Sequence, residues 1–465
     1  MKSRREFLSE AFSSMTGFGV AAAFTAFHGR VAMGETAKRN PKLVPTTDET
    51  TGLELIRLPE GFRYISYGWT NDPMSDGHPT PASHDGMGVV DESDGIVTLV
   101  RNHEVSDDRE ALSQKTVAPY DRKAGGGCTT LKFDSGHGKW LESHVALSGT
   151  SRNCAGGVTP WGTWLTAEET VLGVGSMDPY KANAKRSFQR DHGWVFEVDP
   201  KGVANPVPLE AMGRFVHEAV AIDRKTGIVY ETEDRGTAGF YRFLPRENGN
   251  LSAGGELQMA EVIGHADLRG HVEPNTTFDV RWHTIKQPSL ANTPGLEPPD
   301  ELGVFKQGKA LGGTTFARLE GCWSGNDRIY FDATSGGRAE CGQIWQYDPS
   351  AESLTLLFES PNKDVLNMPD NLCVNPRGGL VLCEDGDYGG AERAQRIHLL
   401  TQDGNLMPLA VNDLQLKGEK GFRGDFRGRE WAGATFSPDG EWLFANIQTP
   451  GMTMAITGPW EAFAG

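Results

Sequence analysis

Asn153-Cys154-Ala155-Gly156-Gly157-Val158-Thr159-Pro160-Trp161-Gly162-Thr163-Trp164-Leu165-Thr166-Ala167-Glu168-Glu169 has the pattern of a β-hairpin. A strand enters at Cys154, Thr159 to Gly162 supply turn residues, and an apolar strand over 163–166 returns to two carboxylates. Antiparallel pairing brings the thiol that opens one strand and the acids that close the other to the same end. That donor set suits a hard metal ion with one soft ligand.

The same unit recurs along the chain. Asp85 leads through a turn at 91–95 into residues 96–100, which end on Arg101-Asn102-His103-Glu104. His217-Glu218 lead into 228–230 and end on Glu231-Thr232-Glu233-Asp234. Arg318 and Glu320 lead into 329–331 and end on Asp332. Asp370-Asn371 lead into 380–382 and end on Glu384-Asp385, and Glu430 leads into 442–444, ending on Asn446 and Gln448. Six hairpins spaced by roughly 50 to 100 residues, each polar at its open end, are the pattern of propeller blades that share one channel mouth. Echoes of a third strand at 196–200 and 347–349, with weaker copies at 131–134 and 397–400, support the repeat. The expected fold is all-β: a six-bladed β-propeller forming a single domain over residues 35–465. Its open edge closes if residues 62–67 join 452–457. A long insertion, 245–315, falls between blades three and four and is a candidate lid. The histidines in it (His265, His271, His283) are too irregularly spaced for a metal motif.

The chain begins with Ser3-Arg4-Arg5-Glu6-Phe7-Leu8 before a weakly apolar run over 11–27, the signature of twin-arginine export of a folded protein. Residues 1–34 are read as that signal, with cleavage between Ala26 and Ala37. The translocase is then a transient partner, and the mature protein is expected in the periplasm or outside the cell, with no stable membrane association. The formal charge is −17, and residues 1–34 carry four basic against two acidic side chains, so the remainder stands near −19. Such an acidic surface disfavours nucleic acid and suits divalent cations. Six cysteines in an exported chain could form disulfides, and Cys373 and Cys383 flank the turn at 376–379 nearly symmetrically. Cys128, Cys322 and Cys341 read equally well as small buried apolar residues.

The mouth would gather Asn102, Glu104, Cys154, Glu168, Glu169, Glu218, Glu233, Asp234, Glu320, Asp370, Asn371, Asp385 and Glu430. So many acids at one place call for cations, and mostly oxygen donors favour Ca²⁺, Mg²⁺ or Fe³⁺ over structural zinc. Arg318, two residues before Glu320, is expected on the same strand face, where a guanidinium beside bound cations can grip a phosphate bidentately.

Several stretches together resemble the PhoX-type alkaline phosphatases: R-N-C-A-G-G-x-T-P-W-G-T-W-L-T-x-E-E at 152–169, N-H-E at 102–104, G-R-F-x-H-E at 213–218, R-x-E-G at 318–321, P-D-N at 369–371 and F-S-P-D-G-x-x-L-F-x-N-I-Q-x-P-G at 436–451. The chain differs from that pattern at Leu319, where a proline is common, and at Glu384, where a threonine is expected. The resemblance implies a twin-arginine-exported six-bladed propeller carrying Fe³⁺ and Ca²⁺. It implies Cys154, Glu169, Glu218 and Asp385 as iron ligands, Glu320 with Asn102 and Glu104 as calcium ligands, and Arg318 as the phosphate-binding catalytic residue. The expected function is a secreted, monomeric, metal-dependent phosphomonoesterase acting on small phosphoesters. A calcium-dependent propeller lactonase or esterase, or a non-catalytic binding propeller, are the alternatives.

Overall fold

The computed structural model describes residues 40–106, 109–113, 117–179, 181, 184–203, 205–386 and 393–463; the twin-arginine segment and the boundary at residue 34 lie outside them. Short apolar runs punctuated by glycine, proline and asparagine fold as antiparallel hairpins. Their first strands are His84–Ser93, Asn153–Val158, His217–Ile222, Leu319–Gly325, Pro369–Val374 and Trp431–Phe436, and each pairs with the next strand in the chain. In space these first strands pack on one another in chain order, and the sixth packs on the first, so the ring closes. The fold is all-β and propeller-like.

Strands buried on both faces need apolar side chains on both, and the core divides accordingly into packets between neighbouring hairpins. Val100 and Leu147 of the first meet Trp164 and Phe196 of the second. Tyr230 and Phe240 of the third meet Phe331 and Trp345 of the fourth. Phe133 of the first packs edge-to-face on Trp442 and Phe444 of the sixth, with ring centroids 4.8 and 5.2 Å apart. Each such aromatic pair adds about 0.5–1.5 kcal/mol beyond its buried area.

Arg63–Tyr67 pairs with Met452–Thr457, from Tyr67↔Thr453 to Arg63↔Thr457, so the N-terminal strand completes the last hairpin's sheet. An additional strand pair, Leu43–Thr47 and Glu54–Pro59, attaches to the outer edge of the fifth at Arg57↔Val411. The segment 245–315 is more regular than its sequence implies. Gly255–Val262 is a fourth strand beside Phe240–Pro245, and Thr277–Thr284 pairs with both Gly255–Val262 and Ser353–Glu359, joining the third and fourth hairpins in one nine-stranded sheet. The only α-helix among the described residues is Gly303–Ala310. No helix there is long and apolar enough to cross a membrane.

All six cysteines are free and buried, so the disulfide suggested for Cys373 and Cys383 does not form. Cys373 lies opposite Val381 and Cys383 opposite Ile397, which makes them diagonal neighbours, not a directly facing pair.

Candidate active site

Two features repeat at the open ends of the hairpins. First, one backbone hydrogen bond recurs six times: Glu104 N–H to Ser83 O, Glu169 to Arg152, Asp234 to Val216, Thr334 to Arg318, Asp385 to Met368 and Gln448 to Glu430, all between 2.9 and 3.3 Å. Second, every first strand carries a β-bulge just inside that bond, where two of its residues oppose one on the partner strand. A bulge re-aims a side chain that regular pairing would place on a sheet face. The bulged pairs are Asp85-Gly86, Cys154-Ala155, Glu218-Ala219, Glu320-Gly321, Asp370-Asn371 and Gly433-Ala434. Five begin with a ligand-type side chain. The sixth begins with Gly433, where a Cβ would fall 2.5 Å from Asp85 O.

These side chains converge. Three groups of donor atoms lie within 4.8 Å of one another: Cys154, Glu169 and Glu218; Glu218, Glu320 and Asp370; and Asp370, Asp385 and Glu430. Glu218 and Asp370 are shared, so the groups form one continuous site. The sequence-expected iron set is only partly brought together, because Asp385 sits with Asp370 and Glu430 and not with Cys154. Asp85 was not among the expected ligands. Its Oδ1 is buried without a hydrogen-bond partner among the described residues, and its pKa is raised well above normal by burial and then by Glu104, Asp370 and Glu169. The signal available for it is the acid-then-small pair that it shares with Glu218-Ala219 and Glu320-Gly321.

Other expected ligands have donor atoms engaged by hydrogen bonds within the protein. The amide of fully buried Asn102 donates to Cys154 O (3.0 Å) and Ala155 O (2.7 Å). Its oxygen accepts from Trp164 Nε1 (2.9 Å), Thr166 Oγ1 (2.9 Å) and Cys128 Sγ (3.1 Å), so it has no capacity left for calcium. Glu104 accepts from Arg152 Nε (3.0 Å) and Gln448 Nε2 (2.7 Å) at the rim of the acid groups. Adjacent residues of an extended strand face opposite ways, which separates the acidic pairs. Glu169 faces the mouth, whereas Glu168 turns away to accept from Ser151 N–H, His192 Nδ1, Gly193 N–H and Trp194 N–H. Glu233 is likewise held by Gly239 N–H and the Tyr241 hydroxyl, and Glu384 by Arg396 and His398, leaving Asp234 and Asp385 at the mouth.

Burial and mutual repulsion hold Glu169, Glu218, Glu320, Asp385 and Glu430 well above the usual carboxylate range and push Asp370 up to about 6. Burial, then Asp85 and Glu218, raises the Cys154 thiol, which donates to Glu218 Oε1 at 2.9 Å. Two carboxylates 4.8 Å apart repel by about 3.5 kcal/mol at an effective dielectric near 20. A few such pairs would exceed the net stability of an ordinary domain unless protons or cations neutralise them. Glu218 Oε2 is also buried without a hydrogen-bond partner among the described residues. An oxygen-rich donor set with one thiol and unsatisfied buried oxygens fits multivalent cations.

Two arginines occupy equivalent positions, two residues before a bulge donor, and both are left-handed: Arg152 (φ 49°) before Cys154 and Arg318 (φ 47°) before Glu320. Arg318 precedes its strand instead of lying on a strand face, and the left-handed turn is what brings its guanidinium to the acids. Nε is 2.8 Å from Asp234 Oδ1 and Nη2 is 2.7 Å from Glu320 Oε1. Arg152 bridges Glu104 and Glu169 in the same manner, with Nη2 2.6 Å from Glu169 Oε2. Beside these groups lies a cavity of about 220 Å³, bounded in part by Arg152, Glu169, Asp234, Arg186, Arg235 and Glu301.

The family described as Alkaline phosphatase PhoX matches residues 39–144 and 141–451. No curated protein matches the chain. Among solved structures, Pseudomonas fluorescens PhoX in complex with vanadate, a transition state analogue, is similar at 19% identity and TM-score 0.63, covering 90% of this chain and 97% of that one. A Xanthomonas campestris gluconolactonase is 13% identical with TM-score 0.41, covering 91% of this chain and 99% of that one.

Proposed function

Because the chain belongs to the alkaline phosphatase PhoX family, we propose that it is a secreted, metal-dependent phosphomonoesterase whose site lies at the mouth of a six-bladed β-propeller. The carrying observation is the set of three overlapping donor groups, joined through Glu218 and Asp370, with Arg318 beside them. Cys154, Glu169 and Glu218 would hold iron, Glu320 and Asp370 would hold calcium, and Asp385 with Glu430 would serve a further ion. Bound cations supply Lewis-acid polarisation and charge neutralisation to the phosphoryl group. Arg318, aligned by Asp234, grips two phosphoryl oxygens and stabilises the charge that develops on them. The mature chain would be one domain over 35–465, with its insertion between the third and fourth blades. Arg4-Arg5 would direct it through the twin-arginine translocase to the periplasm or beyond, where it would act as a monomer.

Hydrolysis of 4-nitrophenyl phosphate by protein loaded with iron and calcium tests this reading. Turnover that disappears on chelation and returns on reloading is the expected result. Absence of turnover in protein shown by elemental analysis to hold both metals rejects it.

A further inference from the structure

The cavity beside the donor groups is lined by three arginines, Arg152, Arg186 and Arg235, and three acids, Glu169, Asp234 and Glu301, and the phosphoryl chemistry does not use Arg235 or Arg186. Arg235 follows Asp234, and its carbonyl accepts the Arg318 N–H at 2.8 Å, so its position is tied to the phosphate grip. Its guanidinium meets Glu301, delivered by the long segment after the third hairpin, and Nη2 donates to Asp300 O at 3.3 Å. The loop fixes the backbone around Glu301 and leaves its carboxylate held by Arg235. The Glu301 N–H donates to Asn292 Oδ1 (2.8 Å), while the Asp300 carboxylate accepts from Thr293 N–H (2.9 Å), Thr293 Oγ1 (2.6 Å) and Lys306 Nζ (2.7 Å). Arg186, with Nη1 donating 2.7 Å to Ser106 O and Nη2 3.7 Å from buried Asp178 Oδ1, lines the same cavity with its charge already paired.

We propose that this cavity is the leaving-group subsite, and that Arg235 selects phosphomonoesters whose leaving group carries a carboxylate, which takes the place of Glu301. The proposal rests on the phosphatase reading. The resident partner of Arg235 is itself a carboxylate, so the guanidinium is already arranged for that group. Arg235 and Glu301 are 32% and 29% exposed, and an ion pair so open to water contributes only about 0–1 kcal/mol. Exchanging it is cheap. A carboxylate tethered to a phosphate already gripped by Arg318 arrives at high effective concentration and wins that exchange.

The test compares equilibrium binding of phenylphosphonate and 3-carboxyphenylphosphonate to the metal-loaded full chain by calorimetry. A charge-assisted bond of this kind corresponds to a preference of about tenfold or more for the carboxylated compound. Arg235→Gln should abolish the preference, Arg235→Lys should retain part of it, and Glu301→Gln should increase it. Equal preference in the wild type and Arg235→Gln overturns the proposal, as does absence of preference in the wild type. The lysine variant and the wild type decide the matter if the glutamine variant fails to fold. Failure of the phosphatase reading is separately visible as no hydrolysis of phenyl phosphate by the loaded wild type, since phosphonate binding needs no turnover.

Discussion

At Arg318 the backbone is left-handed (φ 47°), a conformation that costs a non-glycine residue roughly 1–3 kcal/mol and persists only where its surroundings enforce it. Here the Thr334 N–H bond to Arg318 O and the contacts to Asp234 and Glu320 enforce it. Arg318→Ala removes the guanidinium while leaving every donor atom of the three groups in place. Metal content should therefore stay near the wild-type value, while kcat/KM falls by about 10²-fold or more, the scale of one preorganised charge stabiliser. Unchanged kcat/KM, or wholesale metal loss, contradicts the assigned role. Cys154 has the opposite character. Burial and the surrounding acids keep its thiol protonated, so only a bound cation would ionise it. Iron-loaded protein should show a thiolate-to-iron charge-transfer absorption, and Cys154→Ala should lose both the band and bound iron. A mutant that retains wild-type iron would remove Cys154 from the ligand set.

The functional element is the bulged first strand together with the residue opposite its bulge. In the first hairpin that residue is Asn102, whose amide reaches across to the carbonyls of Cys154 and Ala155 in the second. In the third it is Thr232, whose hydroxyl donates to Glu320 O in the fourth at 2.5 Å. In these two hairpins the residue opposite the bulge thereby fixes the backbone that carries the neighbour's bulged donor. Asn102→Ala would leave two buried carbonyls and three buried donors without their partner, at about 1–3 kcal/mol for each group not rescued by water. The melting temperature should fall by several degrees and iron occupancy should drop with it. Scanning calorimetry and elemental analysis that both match the wild type would rule out this positioning role. The hairpins themselves were legible in the sequence because they are local: turn residues such as Asn326-Asp327 and Asp94-Gly95, all with positive φ, sit between apolar runs. Closure by residues 63–67 was legible because an unpaired edge needs a partner. The bulges were not, since the slip appears only when both strands of a pair are aligned, and for that reason Asp85 went unrecognised. Asn102, Glu168 and Glu233 carry oxygen donors like those of the converging groups. Strand parity and the loops behind them, which a linear pattern does not display, turn them into scaffold. Thr277–Thr284 is not marked in the sequence because a long irregular stretch separates it from Gly255–Val262 and its other partner, Ser353–Glu359, lies far along the chain.

At the scale of the whole molecule, the acids come from different hairpins, so their repulsion acts across the closed ring and tends to open it. In the metal-free chain the alternative to cations is protons, and the sign of the pH effect follows. The folded-state values of Glu169, Glu218 and Glu320 lie well above normal and that of Asp370 is about 6, so the folded chain holds protons that the unfolded chain releases above about pH 4. Stability from these groups is complete below that pH and is lost as pH rises through the folded values, at about 1.4 kcal/mol per pH unit for each retained proton. Cations bound there would replace those protons and remove the penalty. A ligand specific for the folded state adds about 2.7 kcal/mol at 100 times its Kd, which in a chain of this length moves the melting temperature by only a few degrees. Chelation should therefore lower the melting temperature little at pH 5.5 and clearly more at pH 8.5, and reloading with iron and calcium should restore both melting and activity at the higher pH. If elemental analysis confirms metal removal and the chelator-induced shift is absent, or the same at both pH values, these carboxylates do not share a cation site and the phosphatase reading loses its physical basis.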